Sequence, residues 1–330
     1  MDGDDRMTDR VEEARDRPTV GLRADDGVAY VMALPGVTGE LVRTGGSDRT
    51  TDITLDHFGD KSVAHVDIGF PIAGEATADD DVLIAVSMLQ TPPGGMWDGV
   101  ELERGSTFVY GPGSSQVARD PIGLRFALAT FRWEDIEAGA AVLGRRPPTA
   151  GHRAVYRPDR ASLFTRLFEE HTRVEPAEDA ADRLLEAVVE LVSDPGETTT
   201  GARGWTSQQI VCECLEHLER TATWRPPVLT LCRAVGVSER RLQQAFSDVT
   251  GLGVASYLRH RALQATRLAL SGPAADRVTD VAADHGFAHA GRFAADYHST
   301  YGELPSVTVR RARSESDRGE VTHERLVPGD

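Results

Sequence analysis

The chain has 330 residues, a formal charge of −16 and three cysteines, with 40% hydrophobic residues and no apolar run of 18 or more. That length provides for two domains, while the missing apolar run and the absence of a charged-then-apolar start argue against a membrane span and a signal peptide. A cytoplasmic location is therefore expected, and Cys212, Cys214 and Cys232 read as incidental thiols rather than a disulfide framework.

The predicted elements change character along the chain. Residues 1–17 are acidic, lack an apolar period and are expected to be disordered. Residues 18–150 read as β-rich. Val82–Leu89 is a candidate buried strand and Thr107–Tyr110 another, closed by Gly111-Pro112-Gly113. Arg125–Phe131 alternates as a third. Many short strands with Gly and Pro punctuation suggest a small antiparallel barrel or sandwich. Helices follow at Glu134–Leu143, Ser162–Thr172 and Ala177–Val192, the last with Leu184, Leu185, Val188, Leu191 and Val192 on one face. Such helices either pair subunits or pack on the parent barrel. Residues 151–200 thus form a helical segment ending in a linker, Asp194–Gly201.

The remaining third repeats itself. Val228-Leu229-Thr230-Leu231-Cys232, Gly236-Val237-Ser238, Leu242, Phe246 and Gly251 return as Val278-Thr279-Asp280-Val281-Ala282, Gly286-Phe287-Ala288, Phe293, Tyr297 and Gly302. Each copy reads as a short apolar helix, a glycine turn and an amphipathic helix, the outline of a helix-turn-helix. Charge follows the same division. Residues 207–313 carry 13 arginines against 10 carboxylates, a net of +3, which leaves −19 for the rest. A weakly basic module joined to an acidic sensor or partner domain fits that asymmetry.

Within the first copy Ser207 is the expected cap of a leading helix with Ile210, Val211, Cys214, Leu215 and Leu218 inward, and Ser238 caps the second amphipathic helix. Leu242, Ala245, Phe246 and Val249 form the latter's core face and leave Glu239, Arg240, Gln243, Gln244 and Ser247 outside. In a major groove Arg pairs with guanine and Gln with adenine through two hydrogen bonds each. The second copy is expected to start near Ala288, with Ala290, Phe293, Ala294 and Tyr297 inward and His289, Gly291, Arg292, Ala295 and His298 outward. Its face offers few donors, so it positions more than it specifies. Ala255–Leu270, with Tyr257, Leu258, Ala262, Ala265 and Leu268 inward, reads as a strut able to hold two reading helices about 34 Å apart, one turn of B-DNA.

Residues 207–313 resemble the DNA-binding domain of AraC/XylS-type transcription regulators. The resemblance rests on Leu231…Val237-Ser238…Arg241-Leu242…Phe246, on Tyr257-Leu258-Arg259-His260-Arg261, on Val278–Ala282 with Gly286-Phe287, and on Gly291–Tyr297 followed by Tyr301-Gly302-Glu303-Leu304-Pro305-Ser306. It implies seven helices and two helix-turn-helix units. The base-reading positions then fall on Arg240, Gln243 and Gln244 in the first unit and on Gly291, Arg292 and Ala295 in the second. Ser238, Arg241, Ser247, His289 and Arg261 are candidates for the phosphate backbone. Ala295 stands where many members carry a basic residue, implying weaker base readout by the second unit. The His289-Ala290-Gly291-Arg292-Phe293 wording is similar to regulators of the ethanolamine-utilisation kind.

The expected fold is thus α+β and multidomain, with a cupin-like barrel plus helices in front, an all-α domain with two helix-turn-helix units behind, and a disordered tail at 314–330. The expected partners are double-stranded DNA, a second copy of the chain, an unidentified small-molecule effector and RNA polymerase, with no membrane. Two rival readings are open to the same residues. A metal cupin enzyme needs several converging ligands, and His57 and His65 are the only histidines of the barrel region, so no metal, cofactor or enzymatic activity is expected. A protein-interaction adaptor that has lost DNA binding would show little salt dependence.

Overall fold

The structure, a computed structural model, describes residues 19–24, 27–149, 151–171, 178–193, 204–272 and 277–323. The expected disordered start at 1–17 and the linker at 194–201 lie outside them. The front part contains β1 (Thr19–Ala24), α1 (Gly27–Met32), β2 (Val37–Arg43), β3 (Thr51–Phe58), β4 (Lys61–Asp67), β5 (Ile72–Ala78), β6 (Val82–Gln90), β7 (Met96–Trp97) and β8 (Val100–Glu101). It continues through β9 (Thr107–Tyr110), β10 (Ser115–Asp120), β11 (Arg125–Arg132), α2 (Trp133–Val142), β12 (Arg153–Tyr156), α3 (Pro158–His171) and α4 (Glu178–Ser193). Seven strands make one sheet in the order β1-β3-β4-β11-β6-β9-β12, and five make a second in the order β2-β5-β10-β7-β8. Every recorded pairing is antiparallel.

The two-residue period of a strand explains how this part is layered. On β11, Phe126 and Leu128 face the space between the sheets with Trp97, Phe108 and Met88. Ala127, Ala129 and Phe131 face the other way, onto Phe164 and Phe168 of α3 and Leu184, Val188 and Val192 of α4. Both β6 and β11 are therefore covered on two sides, which is why Val82–Leu89 reads as an almost unbroken apolar run. The apolar stripes of α3 and α4 are used on the parent sheet, so those stripes are not the subunit contact weighed for residues 162–192. Val142, Leu143 and Leu163 remain exposed on the same helical layer.

The outer side of the five-stranded sheet meets the carboxyl-terminal helices. These are α5 (Gly204–Thr221), α6 (Val228–Val235), α7 (Glu239–Thr250), α8 (Val254–Leu270), α9 (Val278–Asp284), α10 (Ala290–Tyr301) and α11 (Pro305–His323). Val42, Ala73 and Val117 of the sheet share a core with Val211, Leu215, Leu231, Phe246 and Tyr257 of these helices. A separate core of Leu263, Val281, Phe287, Phe293 and Tyr297 serves the last helices. Three sequence boundaries shift. Ser207 lies inside α5 and donates from Oγ to Asp248 at 3.1 Å instead of capping the helix. The second amphipathic helix begins at Ala290 rather than Ala288. Finally, α11 continues to His323, over residues 314–323 of the tail expected to be disordered, and 324–330 lie outside the described residues; the sequence of its last turns has no apolar period by which to recognise a helix.

Candidate nucleic-acid interface

The first unit is built from α6, a turn and α7. Pro226-Pro227 blocks any earlier helix, so α6 starts at Val228 and buries Leu231 and Cys232. It stops at Gly236, whose φ of 68° lies in the left-handed region that suits glycine. Ser238 then caps α7 by accepting the Arg241 N–H at 3.3 Å. Leu242, Ala245, Phe246 and Val249 are all buried. The opposite face presents Glu239, Arg240, Gln244 and Ser247 to solvent, with Arg241 and Gln243 half-buried.

Two of those side chains have partners that the sequence does not reveal. Gln243 Oε1 accepts the Val254 N–H at 3.2 Å, closing the start of α8, where the cap residue Gly253 has no side chain to do so. Gln244 donates from Nε2 to Asp248 Oδ1 at 2.5 Å. Arg240 is exposed and, among the described residues, has no recorded carboxylate partner.

The second unit repeats the geometry. Gly286 has φ 83° where the first unit has Gly236, and Gly302 has φ 71° where the first has Gly251 at 72°. Val281 and Ala282 of α9 are buried, and Phe287, Phe293, Tyr297 and Tyr301 form a ladder of rings with centroids 5.0, 5.6 and 4.7 Å apart. Thr300 and Tyr301 join Phe293 and Tyr297 on the inner side, whereas Ala290 is exposed and Ala294 half-buried. Gly291, Arg292 and Ala295 face solvent together with His289, whose side chain makes no cap bond.

Arg225 adds a contact that no sequence pattern marks. It donates from Nη1 to the Gly286 carbonyl at 3.2 Å and lies 5.0 Å from the Phe287 ring, bracing the turn of the second unit from the loop before the first. Arg225, His289, Arg292 and Asp296 border a concavity of about 300 Å³ at the head of α10. No local periodicity marks Arg225, because its partner is 61 residues away.

The strut α8 has 17 residues and so is about 26 Å long. It is covered from two directions. Leu263, Gln264, Arg267 and Leu270 are buried besides Tyr257, Leu258 and Ala262, while Leu268, expected inward, is 52% exposed. The second covering surface is the front domain. Gln264 Oε1 accepts the N–H groups of Gly27 and Arg43, both at 3.2 Å, and its Nε2 donates to the Leu41 carbonyl at 2.8 Å.

Arg261, expected at the DNA backbone, is 5% exposed. Its Nε stands 2.6 and 2.8 Å from the two carboxylate oxygens of Glu40, and its guanidinium lies 4.9 Å from the Trp224 ring centroid. In this arrangement it joins the strut to β2 and does not reach a phosphate. Burial raises the Glu40 carboxyl despite the opposing pull of Arg261.

A helix-turn-helix domain family model matches residues 231–311. The xylDLEGF operon transcriptional activator of Pseudomonas putida is 31% identical over 151 residues, spanning 44% of this chain and 46% of that protein. Residues 231–311 are a helix-turn-helix domain. A probable thc operon regulatory protein of Rhodococcus erythropolis shares 37% identity with this chain over 103 residues, 31% of each. The chain thus spans about half the length, or less, of these curated relatives. Among solved structures, the AraC-like transcriptional activator CuxR is similar at 17% identity, with 74% of this chain and 93% of that one covered and a TM-score of 0.38.

Between the two sheets of the front domain lies a cavity of about 30 Å³ lined by Tyr30, Trp97, Tyr110, Gln116, Asp120 and Phe126 among others. Trp97 donates from Nε1 to Asp120 Oδ1 at 2.6 Å, and burial of this carboxyl raises its pKa to about 7. Gln116 Oε1 is buried without a hydrogen-bond partner among the described residues. Tyr110 donates to Asp98 Oδ2 at 3.0 Å, and Asp98 Oδ1 accepts the Val117 N–H at 2.9 Å. Burial raises the Asp98 carboxyl against the opposing pull of Arg153, which also bonds the Ser115 carbonyl and reaches Gln208 Oε1 of α5 at 3.4 Å. A polar chain therefore runs from the cavity wall to the first helix of the carboxyl-terminal region. His57 and His65 are brought to adjacent strands, β3 and β4, and among the described residues no group of His, Cys, Asp or Glu is arranged to hold a metal. None of the helices of the described residues is long and apolar enough to cross a membrane.

Proposed function

We propose that the chain is a sequence-specific transcription regulator that lays α7 and α10 into successive major grooves. The observation that carries this reading is the doubled exposure pattern. In both units the inner side is locked into a core, while Arg240 and Gln244 on one helix and Gly291, Arg292 and Ala295 on the other stand in solvent. Arg240 and Gln244 are the base readers, each good bidentate pair contributing about 1–3 kcal/mol of discrimination. Gln243 reads with its amide nitrogen while its oxygen holds the strut. Arg292 anchors backbone, supported by His289, Ser238, Arg241 and Ser247.

The front domain modulates this activity. Gln116 turns an unpaired amide oxygen and Asp120 a carboxyl with its pKa raised to about 7 toward a cavity that holds about two waters, so a donor-bearing effector larger than that enters only if the two sheets part. The Tyr110–Asp98–Arg153–Gln208 chain supplies a route to α5. Exposed Val142, Leu143 and Leu163 are the surface for pairing with a second copy.

Affinity for duplexes selected from a random pool tests the assignment of roles. Arg240→Ala and Gln244→Ala should relax preference at particular base pairs. Arg292→Ala should weaken all sequences about equally and lower the salt slope by about one. Were Arg292→Ala to change the chosen site while Gln244→Ala left it alone, the roles would be reversed. An absence of salt-sensitive duplex binding by the unaltered protein would end the reading and favour the adaptor.

A further inference from the structure

The second unit carries a positive surface that neither recognition helix accounts for. A groove of about 630 Å³ lies between the start of α9 and the middle of α11, lined by Arg277, Arg310, Arg313, Ser306, Val278 and Val309. The three arginines are exposed, while Val309 is 9% exposed and forms the floor. Among the described side chains, which leave out Asp276 and those of 315–323, no carboxylate forms an ion pair with any of the three arginines.

Helix phase explains why. On α11, Arg310 and Arg313 lie one turn apart on the same side, whereas Arg311 is rotated by about 100° from Arg310. Arg311 turns to Glu303, with nitrogen-to-oxygen distances of 3.1 Å, and the same carboxylate takes Arg267 at 2.7 Å. Glu303 is thus committed to Arg311 and Arg267 rather than to the groove. Arg277 is the cap residue of α9, in an extended conformation (φ −60°, ψ 133°), and its side chain is exposed.

We infer that this groove grips phosphates of a duplex strand beside the second recognition helix, anchoring the unit whose own reading face is nearly bare. The inference rests on the DNA-binding reading above and adds a second contact surface to it. The first helix of a helix-turn-helix crosses the DNA backbone, which brings the amino end of α9 to a strand. With seven residues α9 is about 10 Å long. One strand carries a charge every 3.4 Å of axis, so about three phosphates span the distance from the groove to the head of α10, where His289 and Arg292 stand. Planar guanidinium forks match phosphate oxygens, and the Ser306 hydroxyl adds a neutral donor. Such contacts carry no base information and strengthen binding to every sequence alike.

The test is the salt dependence of the full chain's Kd for a duplex selected from a random pool, compared with a variant carrying Arg277→Ala, Arg310→Ala and Arg313→Ala together. Three lost phosphate contacts lower the slope of log affinity against log salt by about 2.7. Between 50 and 200 mM salt the unaltered protein should therefore lose about 40-fold more affinity than the variant. The sequence selected should stay the same, and Arg→Lys at all three positions should keep most of the slope, which shows that charge rather than folding is responsible. An unchanged slope in the Ala variant, with the unaltered protein binding duplex normally, overturns this inference and leaves the DNA-binding reading standing. Failure of the unaltered protein to bind any duplex removes both. Vesicles of anionic phospholipid offer the other source of phosphate. If the Ala variant lost vesicle co-sedimentation while its duplex slope was unchanged, the groove would belong to lipid and the inference would fall.

Discussion

Gln243 shows how a residue on a reading face can also hold the frame. Its Oε1 accepts the Val254 N–H at the start of α8, a position where Gly253 offers no capping side chain. Gln243→Ala removes that acceptor, and loss of an N-terminal cap costs about 1 kcal/mol. With a urea dependence of about 2 kcal/mol per molar, the midpoint of unfolding should fall by roughly 0.5 M at constant slope. Gln243→Glu keeps the acceptor and places a negative charge at a helix amino terminus, where it gains about 0.3–1 kcal/mol. That variant should regain the midpoint yet bind duplex more weakly, because the carboxylate faces phosphate. Urea unfolding followed by circular dichroism, alongside duplex affinity, measures both effects. Equal loss of midpoint in the Ala and Glu variants would refute the capping argument.

Three further outcomes follow from the same contacts. Glu40→Ala leaves Arg261 charged at 5% exposure and should destabilise by about 3–5 kcal/mol, while replacing both residues with apolar ones of similar volume should cost much less; a thermal double-mutant cycle measures this. Asp120 takes up its proton more readily folded than unfolded, so the stability it contributes is full below about pH 4 and is lost as pH rises to about 7, a drop of the order of 4 kcal/mol. Asp120→Asn should remove that drop in denaturant unfolding run from pH 4 to 7. Gln264→Ala leaves two N–H groups and one carbonyl at the domain junction without their partner and should cost about 2–4 kcal/mol in urea unfolding.

What could be read from the sequence was whatever depends on nearby residues. Leu242, Ala245, Phe246 and Val249 declare a helix face at one-turn spacing, and Gly236 and Gly286 mark turns because each needs a left-handed backbone. β6 and β11 were legible as apolar segments for the same reason. Long-range pairings were not. Arg261 looks like a phosphate ligand beside Arg259 and His260, and only its approach to Glu40, 221 residues away, turns it inward. Leu268 looks like core on a strut packed from one side, but α8 is packed from two and its exposed edge falls there. Gln243 sits among solvated neighbours, yet the bend at Gly253 returns the chain to it. The groove at Arg277 joins residues more than thirty apart in sequence that have no common periodicity.

Hydroxyl-radical footprinting of the full chain on a duplex selected from a random pool addresses the paired-helix arrangement most directly. The account predicts two protected segments on one side of the duplex, their centres about 10 base pairs apart. The segment facing α7 should lose its base preference in Arg240→Ala, and the segment facing α10 should keep its sequence tolerance. A single protected segment, or two on opposite sides of the duplex, would contradict it.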